Sequence, residues 1–292
     1  MRSGASPFFF SVGLLGCSEN HGGLMGKYLI FTDVHIVGAG ETIIDLDPAV
    51  RLTQGLAHAV HHHPDAKAVI IAGDLTHHGL PSEYTRLAEV LDECPLPVHV
   101  MLGNHDYRPS FRKVFTQAPD VDGFVQFAIH DGDHVILCLD TKDQTAPDHH
   151  SGLLCETRLD WLAAHLETHA DKQVTLIAHH PAFDTGFTGM DRIKLHNGAE
   201  FRDLIAQHPC VKQLIHGHVH RTIMGQTNGV AVAMLKSTCH QIPMCLGDDD
   251  TSLAVDEPGA YGVLLLNERE ILVLPEDFTL PPRAVKSDAH SS

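Results

Sequence analysis

The chain reads as an α/β protein whose site lies at the carboxyl ends of its strands, and three observations carry that reading. Short apolar runs rich in β-branched and aromatic residues recur along the sequence, with the pattern of buried strands. Between them lie segments whose apolar residues repeat at helical spacing. Five of the strand-like runs stop abruptly at a carboxylate, an amide or an imidazole.

Residues 27–32 form the first apolar run, ending at Asp33-Val34-His35. Asp47 suits an N-cap and Pro48 the first position of a helix that ends near His63-Pro64. Residues 68–72 are a second strand, ending at Gly73-Asp74. Ser82 caps a helix carrying Tyr84, Leu87, Val90 and Leu91 on one face. Residues 97–102 are a third strand, ending at Gly103-Asn104-His105-Asp106, and a short helix follows around 111–115. Residues 124–129 and 134–139 flank His130-Asp131-Gly132-Asp133, an Asp-Gly hairpin signal. A helix is expected over 156–169, then a strand over 173–178 that ends at His179-His180-Pro181. A helix over 198–207 precedes a strand over 211–215 that ends at His216-Gly217-His218-Val219-His220. Two further β runs, 222–224 and 230–235, lead to Ser237-Thr238-Cys239-His240-Gln241. A hairpin over 261–266 and 271–274 closes the pattern.

The boundaries follow from composition. Residues 1–25 read as a leader outside the fold, with the folded protein beginning near Met25, and residues 26–246 as the domain that carries the strand-end site. Residues 247–280 read as a C-terminal hairpin extension or dimer contact, entered through the acidic Gly247-Asp248-Asp249-Asp250, a solvated linker. Residues 281–292 read as a disordered tail. Seven cysteines, odd in number and without a CxxC pair, fit reduced thiols in a cytoplasmic protein. The alternative is an exported or lipid-anchored protein, if Arg2 to Cys17 is a real signal. No apolar run reaches the roughly 20 residues that a spanning helix needs.

The 292 residues, 43% apolar and 20% charged, suffice for a sizeable core. A net charge of −17 argues against binding long nucleic acid. An anionic substrate then needs a local positive source, and metal ions supply one. Histidines number 25 against 20 Lys and Arg, and imidazole is the commonest metal ligand.

In open α/β sheets, sites form beyond the carboxyl ends of the strands. That places Asp33, His35, Asp74, Asn104, His105, His179, His218 and His220 together. The i, i+2 spacing of Asp33/His35 and His218/His220 puts each pair on one side of an extended backbone. Two Asp, one Asn and four His make an O/N donor set without sulfur, suited to Mn, Fe, Zn or Co. Seven donors are too many for one tetrahedral ion and fit two ions that share a carboxylate. Such a pair, roughly 3.5–4 Å apart, can clamp a phosphoryl group in in-line displacement. The clusters His61-His62-His63, His77-His78 and Asp148-His149-His150 read as helix-end, loop and solvated residues.

The series Asp33-x-His35, Gly73-Asp74, Gly103-Asn104-His105-Asp106, His179-His180 and Gly217-His218-x-His220 resembles the calcineurin-like metallophosphoesterase family. The resemblance covers about residues 27–241. It is nearest to the bacterial class III cyclic-nucleotide phosphodiesterases and glycerophosphodiesterases, whose segment after the last metal block is similar to 237–243. It implies a four-layer αββα sandwich of two mixed β-sheets flanked by helices. It implies that Asp33, His35 and His220 hold one metal, that Asp74 bridges, and that Asn104, His179 and His218 hold a second. Manganese and iron come first as the ions, with zinc or cobalt next. His105 is implied as catalytic acid or charge stabiliser, with Asn104 and His240 on the substrate phosphate and Asp106 able to orient His105. The activity implied is hydrolysis of a small phosphodiester by a metal-bridging hydroxide, in a homodimer without a membrane span. Competing readings are a phosphomonoesterase or broad-specificity phosphatase of the same fold, and a non-enzymatic, His-rich metal-binding protein. Residues 183–197, which would overhang the site, carry no strong family signature, so specificity stays open.

Overall fold

The computed structural model describes residues 26–280. The leader and tail expected from the sequence lie outside them. The first half of the chain comprises β1 (Gly26–Phe31), α1 (Pro48–His62), β2 (Ala68–Ile71), α2 (Pro81–Asp92), β3 (Val98–Val100) and α3 (Arg108–Val114). A second series follows: β4 (Phe127–Asp131), β5 (His134–Leu139), α4 (Glu156–Thr168), β6 (Gln173–Ala178), α5 (Thr188–Arg192) and α6 (Gly198–Ala206). Then come β7 (Val211–His216), β8 (Ile223–Thr227), β9 (Val230–Met234), β10 (Ala260–Leu266) and β11 (Ile271–Asp277).

These strands form two mixed sheets, ordered β11-β10-β1-β2-β3 and β4-β5-β6-β7-β9-β8. Side-chain alternation decides how they stack. On β1, Leu29 and Phe31 join Leu52, Leu56, Tyr84, Leu87 and Phe111 in a core under α1, α2 and α3. Tyr28 and Ile30 point the other way, into a central core with Ile136, Cys138, Ile177 and Ile215 of the second sheet. The opposite face of that sheet, through Leu137, Leu176 and Leu214, packs on Leu162 and Leu166 of α4 and on Phe201 and Ile205 of α6. Every central strand is therefore apolar on both faces, and the layers run helix, sheet, sheet, helix. This is the four-layer sandwich expected.

The details depart from the sequence reading in instructive ways. Asp47 caps α1, accepting from the Ala49 and Val50 amides with Pro48 at the first turn. Ser82 does not cap α2. The helix opens at Pro81 after Leu80, and the buried Glu83 carboxylate accepts from the Leu80 amide at 3.1 Å and the His78 amide at 3.0 Å. The C-terminal hairpin adds to the first sheet: β10 runs antiparallel to β1 from Gly26↔Leu266 to Ile30↔Gly262 and buries Tyr261 and Leu264. Side chains of 247–250 are exposed, yet their backbone docks on α5, with the Gly189 amide donating to Asp248 O at 2.9 Å. Among the described residues no helix is long and apolar enough to cross a membrane, and the six described cysteines are free thiols.

Candidate metal centre

All the predicted donors gather where β1, β2, β3, β6 and β7 end, but not by the route the i, i+2 spacing suggested. Asp33, His35, Asp74, His218 and His220 have φ between +47° and +70°, so the backbone is left-handed at each and not extended. A left-handed non-glycine residue costs roughly 1–2 kcal/mol. What offsets the strain lies between the ligands. Val34 and Val219 are fully buried, one in each helix-side core, and each contributes roughly 1.5–3 kcal/mol of burial. Backbone pairing adds to this, with the Asp33 amide on Gly73 O at 3.1 Å and the His35 amide on Asp74 O at 2.9 Å. The apolar residue anchors each motif, and the flanking left-handed residues turn their side chains into the site.

Glycines supply the close approach. A Cβ on Gly103 would stand 2.2 Å from Asp74 Oδ1, and one on Gly217 would stand 2.0 Å from Thr32 Oγ1. Gly73, at φ +98°, lies against the His179 ring and the Gly103 amide.

The donors fall into two groups that share Asp74. In the first, His35 Nε2 and His220 Nε2 are 3.1 Å apart, with Asp33 Oδ1 3.2 Å from His220 and Asp74 Oδ2 3.6 Å from His35. In the second, Asn104 Oδ1 lies 3.1 Å from His179 Nε2 and 2.8 Å from His218 Nδ1, while His179 Nε2 is 3.3 Å from Asp74 Oδ2. Tautomers follow from the outer nitrogens. His220 Nδ1 donates to His240 O at 3.0 Å, and His179 Nδ1 donates to Ala72 O at 2.9 Å. Each ring therefore turns an Nε2 lone pair toward carboxylate and amide oxygens. Electron-pair donors at such distances need positive charge between them.

The electrostatics agree. Burial resists ionisation of Asp74, yet the imidazoles around it, His179 first, hold its carboxyl well below the usual range. Burial keeps His35 and His218 neutral, the form that binds metal. At His179 burial is outweighed by the Asp74 and Asp33 carboxylates, which push it up to about 9. The site pulls in a proton where a cation belongs. This O/N donor set in two groups bridged by one carboxylate fits two divalent ions.

His105 lines the cavity above these donors. Its amide donates to Asp74 Oδ1 at 2.9 Å and its Nδ1 donates to His77 O at 2.8 Å, which leaves Nε2 free. Asp106 does not orient that ring. Its buried carboxylate accepts from the Leu75, Thr76 and Gly103 amides and from the Thr76 and Tyr84 hydroxyls, tying the β2 and β3 loops together. Burial, with the Asp74 charge beyond it, pushes Asp106 up to about 6. His240 packs on His220 with ring centroids 4.8 Å apart, and burial lowers its imidazole to about 2.

Three side chains at the site escaped the sequence reading. His77, read as a loop residue, stacks on His105 at 5.0 Å and sets its Nδ1 3.3 Å from His35 Nδ1. His150, read as solvated, accepts from Asn104 Nδ2 at 3.1 Å, and so directs the amide oxygen toward His179 and His218. Lys142 is buried with its ammonium on Asn104 O. It follows β5, a sixth strand end of the same kind (Asp140-Thr141-Lys142), and that was the available signal. The cavity over the donors holds about 390 Å³. Its lining includes the apolar Ile44, Ile193, Ile242 and Leu253. Ile193 belongs to the overhanging stretch 183–197, and Leu253 lies three residues past the acidic 247–250 read as a linker.

Known proteins share this arrangement's sequence and architecture. Residues 26–222 match the model of the calcineurin-like phosphoesterases. A probable cyclic nucleotide phosphodiesterase of Rhodopseudomonas palustris is 37% identical over 249 residues, covering 85% of this chain and 90% of that one. A glycerophosphodiester phosphodiesterase of Enterobacter lignolyticus is 30% identical over 195 residues, covering 65% of this chain and 68% of its own. The crystal structure of a dimetal phosphatase from Danio rerio superposes with a TM-score of 0.66 at 15% identity, covering 87% of this chain and 96% of that one, and so shares the fold. Strand ends, the carboxylate shared by both donor groups and sequence thus agree, and the chain belongs to the calcineurin-like phosphoesterase family.

Proposed function

We propose that the protein is a metal-dependent phosphodiesterase that hydrolyses small diesters, cyclic nucleotides or glycerophosphodiesters. The observation that carries this is the convergence of seven oxygen and nitrogen donors in two groups under a cavity lined by His105. Asp33, His35 and His220 would hold one ion, Asn104, His179 and His218 the other, and Asp74 both. When bound, the pair supplies Lewis-acid charge and activates water for attack on phosphorus. The donor set favours manganese or iron, then zinc or cobalt.

The chain's own residues do the rest. Asn104, fixed by His150 and Lys142, keeps its oxygen on the metal side. His105, held through Nδ1 by the His77 carbonyl, offers Nε2 to the phosphate or its leaving oxygen. His240, neutral and buried, lines the same cavity near His35 and His220. Among the described residues that line the cavity none is Lys or Arg. A monoanionic diester suits such a wall better than a dianionic monoester. The free thiols support a cytoplasmic location. We place a homodimer contact on the β11 edge, where Leu272 and Leu274 are 44% and 45% exposed. A monomer in light scattering would overturn that contact.

The test is kinetic. Protein loaded with manganese, iron or zinc is assayed on 3′,5′-cyclic AMP, 2′,3′-cyclic AMP, glycerophosphoethanolamine, bis-p-nitrophenyl phosphate and p-nitrophenyl phosphate. Diester turnover above monoester turnover, with two metal equivalents bound, is expected. Two bound equivalents with no hydrolysis would leave the metal-binding reading, and monoester preference would leave the phosphatase one.

A further inference from the structure

The cavity's least economical feature is Ile44. Ile43 and Leu46 exchange both backbone hydrogen bonds at 2.9 Å, closing a two-residue turn. Its central residues, Ile44 at φ +45° and Asp45 at φ +66°, are both left-handed, the geometry of a type I′ turn. That turn prefers Asn and Gly at these positions, and a β-branched residue at positive φ is an outlier. Burial does not explain the choice, because Ile44 remains 41% exposed. What it gains is position, since both Ile43 and Ile44 line the cavity over the metal donors. Strain of this kind concentrates at ligand clamps.

The remaining rim narrows what Ile44 meets. Ile193, Ile242 and Leu253 line the same cavity from three other segments, and Leu253 is 39% exposed. Among the described residues no Phe, Tyr or Trp lines it, and the one lining carboxylate is Asp74, already committed to the metal donors. A quaternary ammonium therefore finds neither an aromatic cage nor a free counter-charge. A flat, uncharged ring finds aliphatic contact on several sides.

We propose that Ile44 is a specificity-determining residue, resting on the phosphodiesterase reading, that selects diesters with a flat uncharged substituent over those with a cationic headgroup. Its side chain packs against the part of the substrate that does not react. Ile44→Asn and Ile44→Gly both suit a left-handed backbone, so neither is expected to impair folding.

The experiment compares kcat/KM for 3′,5′-cyclic AMP and for glycerophosphocholine in wild type and both variants, with thermal midpoints measured alongside. Wild type is expected to favour cyclic AMP at least tenfold. In both variants that ratio falls at least fivefold, through a higher KM for cyclic AMP, while the midpoints stay level or rise. An unchanged ratio overturns the proposal. So does a fall of several degrees in both midpoints, which would make Ile44 a packing residue. If wild type cleaves no diester, the phosphodiesterase reading fails, and calorimetric binding of adenosine 5′-monophosphate still decides Ile44. Equal Kd for wild type and Ile44→Asn then overturns its role.

Discussion

Beneath the cavity the seven candidate donors are each at most 6% exposed, whereas on its rim Ile44 and Leu253 are 41% and 39% exposed. The two regions are also held differently. Each donor follows the end of a strand within a few residues, and its loop is pinned by backbone pairing and by buried anchors such as Val34 and Val219. The rim comes from the turn at 43–46, from α5 and from residues 242–254. The last two meet through exposed contacts such as Arg192 with Asp249, whose side chains are 57% and 66% exposed. Metal geometry tolerates a few tenths of an ångström, and recognition of an apolar group tolerates more. Rigidity is concentrated where chemistry demands it, and the rim needs only to fit.

The largest effect expected on that contrast is from Asp74→Asn at the floor. It removes the one carboxylate common to both donor groups while keeping its shape. Turnover should fall roughly a hundredfold or more, and bound metal, measured by elemental analysis, should drop below two equivalents. Turnover within threefold of wild type would break the two-group description.

Next comes Gly217→Ala, which tests whether the floor is as rigid as its packing implies. The new Cβ would lie 2.0 Å from Thr32 Oγ1 and 2.7 Å from Asp33 Oδ2, so the Asp33 carboxylate must shift. Overpacking should cost roughly 1–3 kcal/mol in urea unfolding, with weaker metal binding alongside. A variant as stable as wild type would show that the floor yields.

Asp106→Asn separates holding from reacting within Gly103-Asn104-His105-Asp106 of the β3 loop. Its five donors now share two carboxylate oxygens. An amide keeps one acceptor and turns an NH2 toward donors, for a loss of roughly 1–3 kcal/mol. Below its lowered melting point the variant should keep kcat within about threefold, a change worth under roughly 0.7 kcal/mol. Lost kcat at unchanged stability would move Asp106 into the chemistry.

The same floor and rim mark what the sequence could show. Strand ends were legible because a buried apolar run that stops at Asp, Asn or His leaves a donor with no solvent to satisfy it. The left-handed backbone at Asp33 and His218 was not, since motif spacing alone does not distinguish extended from αL conformation. His150 and Lys142 act on Asn104 across 46 and 38 residues, and no local pattern encodes such contacts. Residues 247–250 looked like linker because their charges do face water. Only the fold shows that their backbone crosses to α5 and carries Leu253 to the cavity.

The smallest effect belongs to the rim. Arg192 contacts Asp249 through its carboxylate at 3.0 Å and its carbonyl at 3.0 Å, joining α5 to the acidic segment. Because the pair is exposed, its loss in Arg192→Ala should cost only about 0–1 kcal/mol of stability. The contact also seats the backbone that leads to Leu253, so KM for the preferred diester should rise about twofold to fivefold, equivalent to under 1 kcal/mol, with kcat unchanged. Salt should mimic the substitution, since an exposed ion pair is screened within about 10 Å at 0.1 M ionic strength. A kcat loss in place of the KM rise would mean that the rim reaches the floor after all, and the separation drawn between them would fail.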